Sequence, residues 1–132
     1  MKLNQYTMIC PGDLVVVDFG TSSIRSRVMG RHPAYVVSVD DARRMSAQIL
    51  VIPAFRKPSL VHTDDDIRLD TAHCPGLRHE MYVQVLNLQR VGRRDVMEKI
   101  GHVNDDRVMD EVREHIMNWI GGRDEHERKN ED

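Results

Sequence analysis

Two β-branched runs held apart by a glycine-bounded loop constrain this chain more than any other feature. Leu14-Val15-Val16-Val17, with Phe19, lies between Pro11-Gly12-Asp13 and Gly20-Thr21-Ser22-Ser23. Ala34-Tyr35-Val36-Val37-Ser38-Val39 follows Pro33. Apolar β-branched runs between turn formers read as strands, and a proline suits the start of one. The loop between them carries Arg25, Arg27 and Arg31 and no acidic residue. A rigid sheet presenting a purely basic loop is suited to a phosphate backbone, which arginine and lysine side chains hold without reading sequence.

The period-2 reading extends along the chain. Ile49-Leu50-Val51-Ile52 is a third strand closed by Pro53, and Asp66-Ile67-Arg68-Leu69-Asp70 alternates strictly, as a half-exposed strand does. Met81 to Val91 is a further run expected to bend midway, and Arg93 to Ile100 a short helical turn stopped at Gly101. The period then changes. Asn104 is placed to cap a helix whose first turn holds Asp105 and Asp106, and Val108, Val112, Ile116 and Ile120 repeat every four residues before Gly121-Gly122. Short strands at regular spacing followed by one amphipathic helix predict a mainly β fold with C-terminal α: a small antiparallel barrel with packed helices.

With 132 residues, the chain is sized for one domain. No run approaches the roughly 18 apolar residues of a membrane span, and the N-terminus lacks the apolar stretch of a signal peptide, so the expected location is cytoplasmic. Cys10 and Cys74 have no metal-type spacing and are expected as free thiols. His73-Cys74 and His79 lack a fourth ligand, so no metal is expected. The net charge of −2 comes from the last ten residues, with three basic and five acidic side chains; the remainder is balanced. Within it, basic residues gather at segment ends: Arg25, Arg27 and Arg31; Arg43 and Arg44; Arg56 and Lys57; Arg90, Arg93 and Arg94. Such segregation predicts a basic face on a neutral body. Residues 123–132, almost wholly charged or polar, read as a disordered tail.

The order of these features resembles the MazF/PemK family of toxins from bacterial toxin–antitoxin modules. Gly12-Asp13 before an apolar strand, Gly30-Arg31-His32-Pro33 before a strand ending Ser38-Val39-Asp40, Pro53-Ala54-Phe55 at the end of the third strand, Gly76-Leu77, and Glu98-Lys99-Ile100-Gly101-His102-Val103 before the last helix carry the likeness. On this resemblance the domain spans 8–122, with residues 1–7 as an N-terminal extension and 123–132 as the tail. It implies an SH3-like barrel, a homodimer, and metal-independent, cofactor-free cleavage of single-stranded RNA, held in check by an antitoxin peptide. Cleavage would use the RNA's own 2′-hydroxyl and leave 2′,3′-cyclic phosphate and 5′-hydroxyl ends.

The family's arginine before proline falls on His32, with Arg31 one position earlier, and its catalytic Thr/Ser falls on Phe55, which has no hydroxyl. Arg31 as phosphate clamp and His32 as proton-transfer group are the candidate catalytic pair, because a guanidinium donates paired hydrogen bonds to phosphate and an imidazole moves protons near neutral pH. Strand alternation would send adjacent residues to opposite sides. Arg25, Arg27, Phe55, Arg56, Gln84 and Asn87 are the candidate RNA-binding residues. Two other functions compete: a non-catalytic binding module on the same scaffold, suggested by Phe55, and an inhibitor of a partner enzyme of the CcdB type. The latter is suggested by Trp119-Ile120-Gly121 near the end of the helix, although Trp119 also continues the apolar face and is expected in the core or a dimer contact.

Overall fold

A computed structural model describes residues 3–4, 7–20, 28–41, 46–58 and 63–131, with Thr63 and residues 122–131 described by backbone alone. Among the described residues, seven strands and one long helix follow in order: β1 (Asp13–Asp18), β2 (Arg31–Val39), β3 (Gln48–Phe55), β4 (Asp66–Leu69), β5 (Met81–Gln84), β6 (Gln89–Gly92), β7 (Val96–His102) and α1 (Asp106–Glu131). The sheet is antiparallel in the order β4-β5-β3-β2-β1-β7, with β6 also on β3. The expected mainly β class with a C-terminal helix holds. The ladder does not close into a barrel, because β4 and β7 are two free ends of the pairing order.

β3 organises this topology. One edge pairs with β2, while the other takes β6 along Gln48–Val51 and β5 at Ala54 and Phe55. Pro53 falls between those two ladders, so its missing N–H removes no rung to β5 or β6. Pro33 lies inside β2 rather than before it, just past the last β2–β3 rung, Ala34 opposite Pro53. The run from Met81 bends as expected, through a 3₁₀ turn over Val85–Asn87.

The central strands are apolar on both sides because both sheet faces are covered. Leu14, Tyr35, Ile52, Ala54, Val83 and Leu69 point to a core closed by Val108 and Val112 of α1. Val15, Val17, Ala34, Val36, Ile49 and Val51 point the other way, toward Ile9, Val91 and Val96. Full burial of a valine is worth about 1.5–3 kcal/mol, so Val108 and Val112, with Met109 and Ile116 packed beside them, fasten the start of the helix.

Four local expectations change. Residues 93–100 form a 3₁₀ turn (Arg93–Asp95) and then β7, because pairing with the open edge of β1 satisfies backbone groups that an isolated turn would leave to water. The cap of α1 is Asp105, one residue later than expected: its carboxylate accepts from the Arg107 N–H at 3.0 Å, and the Arg107 guanidinium, then that N–H, hold its carboxyl below the usual range. Gly121, at φ −101 and ψ 15, kinks the helix rather than ending it; the side chains of 122–131 and the whole of residue 132, which include the tail expected over 123–132, lie outside the described residues. Trp119 is not in the core. It is 57% exposed beside Met117 and Ile120, because the inward stripe of α1 ends at Ile116.

Candidate nucleic-acid interface

The described candidate residues scatter over two faces of the sheet. Arg31 opens β2 opposite Asp18 and is exposed; His32, opposite Val17, is half-buried. Alternation sends them to opposite faces, so the structure does not bring this pair together. His32 instead meets Phe55, the last residue of β3, with ring centroids 5.4 Å apart and planes tilted by 51°. These are the two positions at which the resemblance puts the family's arginine and its Thr/Ser. Arg25 and Arg27 lie outside the described residues.

From Phe55 the register continues sideways. Phe55 pairs with Tyr82 of β5, and Tyr82 pairs with Arg68 of β4. Directly opposed residues of antiparallel strands project to the same side, so Phe55, Tyr82 and Arg68 form one row whose inner end touches His32. Their chain neighbours Ala54, Val83, Ile67, Met81 and Leu69 fill the core behind. Glu80 ties the outer end. Its Oε1 accepts from the Tyr82 hydroxyl at 2.6 Å and lies 2.8 Å from Arg68 Nε. The Arg68 bond, then the Tyr82 bond, hold the Glu80 carboxyl below its ordinary range, while the same bond pushes the Tyr82 phenol up. Sequence reasoning passed over Tyr82, Arg68 and Glu80. The strict alternation around Arg68 was the available signal, but pairing partners are not visible in it.

Gln84 lies on the same side as Tyr82, opposite Asp66, and accepts from Asn87 Nδ2 at 2.7 Å. The two candidate residues of this stretch thus hold one another across the 3₁₀ turn. Arg56 follows Phe55 and lines a separate cleft of about 520 Å³ with Pro33, Arg78, His79, Glu98 and Lys99. This cleft gathers basic groups on the side opposite His32. Arg93, read from sequence as one of a surface basic group, is buried, and its Nη2 donates to the carbonyls of Asn4 and Thr7, both at 3.1 Å. Residues of the expected N-terminal extension therefore cap a buried cation.

A second polar cluster sits where β1 meets β7. Asp13 is wholly buried; its Oδ1 lies 2.7 Å from His102 Nδ1, and its Oδ2 accepts from the Cys10 N–H at 2.8 Å and from Lys99 Nζ at 3.1 Å. Gly12, at φ +91, packs against the His102 ring so closely that an added Cβ would stand 2.9 Å from Cε1. The Gly-Asp pair is thus a structural lock. Among the described residues, no group of three His, Cys, Asp or Glu side chains is arranged to hold a metal, and no helix is long and apolar enough to cross a membrane.

Comparison with known proteins agrees with this architecture. The family model for the PemK-like, MazF-like toxin of type II toxin–antitoxin systems matches residues 11–120. No curated protein matches. Among solved structures, MazF (form I) from Deinococcus radiodurans aligns with TM-score 0.67 at 18% identity, over 87% of this chain and 98% of that one. An endoribonuclease in complex with its cognate antitoxin from a mycobacterial species aligns with TM-score 0.61 at 16% identity, over 87% and 95%. The MazE–MazF complex (form II) from D. radiodurans aligns with TM-score 0.61 at 20% identity, over 87% and 97%. Identities this low show a shared fold, whereas the family model spans most of the chain and both cores. The protein belongs to the PemK-like, MazF-like toxin family of type II toxin–antitoxin systems.

Proposed function

We propose that this toxin is a cytoplasmic, metal-independent endoribonuclease that cuts single-stranded RNA at a short sequence on the His32–Phe55 side of the sheet. It would act as a homodimer and be silenced by an antitoxin peptide. The observation that supports the reading is the 5.4 Å contact between His32 and Phe55, the positions onto which the resemblance maps the family's arginine and Thr/Ser. His32 removes the 2′-hydroxyl proton, and the 2′-oxygen attacks the neighbouring phosphorus. The 5′-oxygen leaves and takes a proton from solvent while His32 returns the one it removed to solvent, giving a 2′,3′-cyclic phosphate and a 5′-hydroxyl. Water enters no bond, and no metal is required. The loop residues Arg25 and Arg27 supply charge for the phosphate backbone, and Arg31, which faces away from His32, serves the RNA only beyond the cleavage point, at the exposed start of β2. Gln84 and Asn87 offer amide groups to base edges.

The test is antitoxin-free protein incubated with a long mixed-sequence RNA in EDTA, followed by end-group analysis. Discrete fragments with cyclic phosphate ends, lost in His32→Ala, are expected. Intact RNA from folded, RNA-binding protein would refute cleavage. It would favour a second reading, a binding module without chemistry, which is supported by the missing hydroxyl at Phe55 and by the separation of Arg31 from His32.

A further inference from the structure

We propose that Phe55, Tyr82 and Arg68, ordered by Glu80, form a binding site for successive unpaired bases of single-stranded RNA. Phe55 and Tyr82 supply the stacking faces, and Arg68 supplies the cation at the outer end. This inference rests on the RNA reading above and deepens it: it extends the contact from His32 across three strands to the β4 edge of the sheet.

The row has the composition and setting that stacking demands. Single-stranded RNA is held by aromatic rings and guanidinium planes, because every unpaired base has a π-face to offer. Here one ring comes from β3, one from β5 and the guanidinium from β4, in direct register. Adjacent strands lie about 4.7–4.9 Å apart, so the side chains stand as consecutive steps rather than as one closed cluster. Their strands are fixed by the core behind them, and a site on strands keeps its geometry better than one on a loop.

Glu80 adds pre-organisation. A phenol and a guanidinium on neighbouring strands are both held by one carboxylate oxygen, so fewer rotamers are lost when a base arrives. Arg68 gives Nε to Glu80, and its side chain is 58% exposed. A guanidinium has five N–H donors, so this bond leaves the end of the fork for phosphate or a base edge. If the row served only the sheet, cross-strand pairing of Phe55 with Tyr82 would account for it, and RNA would be indifferent to its rings.

The experiment uses the full chain free of antitoxin and a fluorescent ten-nucleotide single-stranded RNA made uncleavable by 2′-O-methyl groups. Affinity is read by anisotropy. Tyr82→Ala should weaken binding about 5- to 150-fold, the range expected for one lost stacking contact. Tyr82→Phe, which keeps the ring, should stay within about 3-fold of the parent protein. Tyr82→Leu keeps apolar bulk without a π-face and should lose affinity as Ala does, which covers the case of an unstable alanine variant. Walking an abasic residue along the RNA should find a position where the parent protein loses affinity and Tyr82→Ala loses no more. The proposal is overturned if Tyr82→Leu and Phe55→Leu bind the intact RNA as tightly as the parent. RNA binding absent from the parent protein itself would instead bring down the functional reading, and the row with it.

Discussion

Replacing Asp13 tests whether the Gly-Asp pair is structural. Asp13→Ala removes a buried acceptor that meets the Cys10 N–H at 2.8 Å, His102 Nδ1 at 2.7 Å and Lys99 Nζ at 3.1 Å. An N–H left without a partner in a buried place costs about 1–3 kcal/mol. The two charged contacts would each be worth about 1.5–3 kcal/mol if fully buried. The Lys99 and His102 side chains are 25% and 46% exposed, so water recovers much of that, and about 0.5–1 kcal/mol each is the fitting figure. The sum is about 3 kcal/mol, a large part of the roughly 5–15 kcal/mol that holds a domain together. Asp13→Asn keeps an oxygen for the Cys10 N–H and loses the charge, so about half that loss is expected. Urea unfolding followed by far-UV circular dichroism reads both, and the alanine variant should also melt about 10 °C lower. The reasoning fails if Asp13→Ala lies within about 1 kcal/mol of the parent protein, or if Asn is as damaging as Ala.

Further expectations follow from other parts of the molecule. Deleting residues 1–7 strips the Asn4 and Thr7 carbonyls from the buried Arg93 and should cost about 2 kcal/mol in urea unfolding; an unchanged midpoint would make that segment dispensable. Gly76→Ala would put a Cβ 2.3 Å from the Ile100 carbonyl oxygen, so the loop must lift from β7, costing about 1–3 kcal/mol by the same assay. Burial, ahead of the opposing pull of Arg113, pushes the Tyr35 phenol up to about 12. The folded state then holds a proton that the unfolded state releases near pH 10, so stability should fall as pH rises from about 10 to 12 and hold below that window. Alkaline unfolding of Tyr35→Phe without that decline would support the assignment; an identical decline would refute it. Phe55→Thr places a hydroxyl beside His32 and removes a stacking ring, so cleavage at saturating RNA should speed up while RNA affinity falls, as single-turnover rates and anisotropy would read separately.

The strands around Leu14–Val17, Ala34–Val39, Ile49–Ile52 and Ile67–Leu69 were legible because each is an apolar or alternating run between turn formers, a purely local signal. The start of α1 was legible for the same reason, through the four-residue repeat from Val108 to Ile116. Residues 96–102 were not. Their local pattern suits a turn, and only the unpaired edge of β1 makes them a strand. Arg93 illustrates a different failure: a charge beside other charges reads as surface until distant carbonyls are found to surround it.

The site divides along the same line. Composition and order alone determined a mainly β domain with a C-terminal helix, the family likeness, and the absence of the usual hydroxyl at Phe55. Which side chains share a face was decided by strand pairing. Shifting one strand by a single residue turns its whole set of side chains over, and the register depends on packing between segments far apart in the chain. Thus Arg31 and His32, adjacent in sequence, were parted, while His32, Phe55, Tyr82 and Arg68, drawn from four strands, were brought into one row.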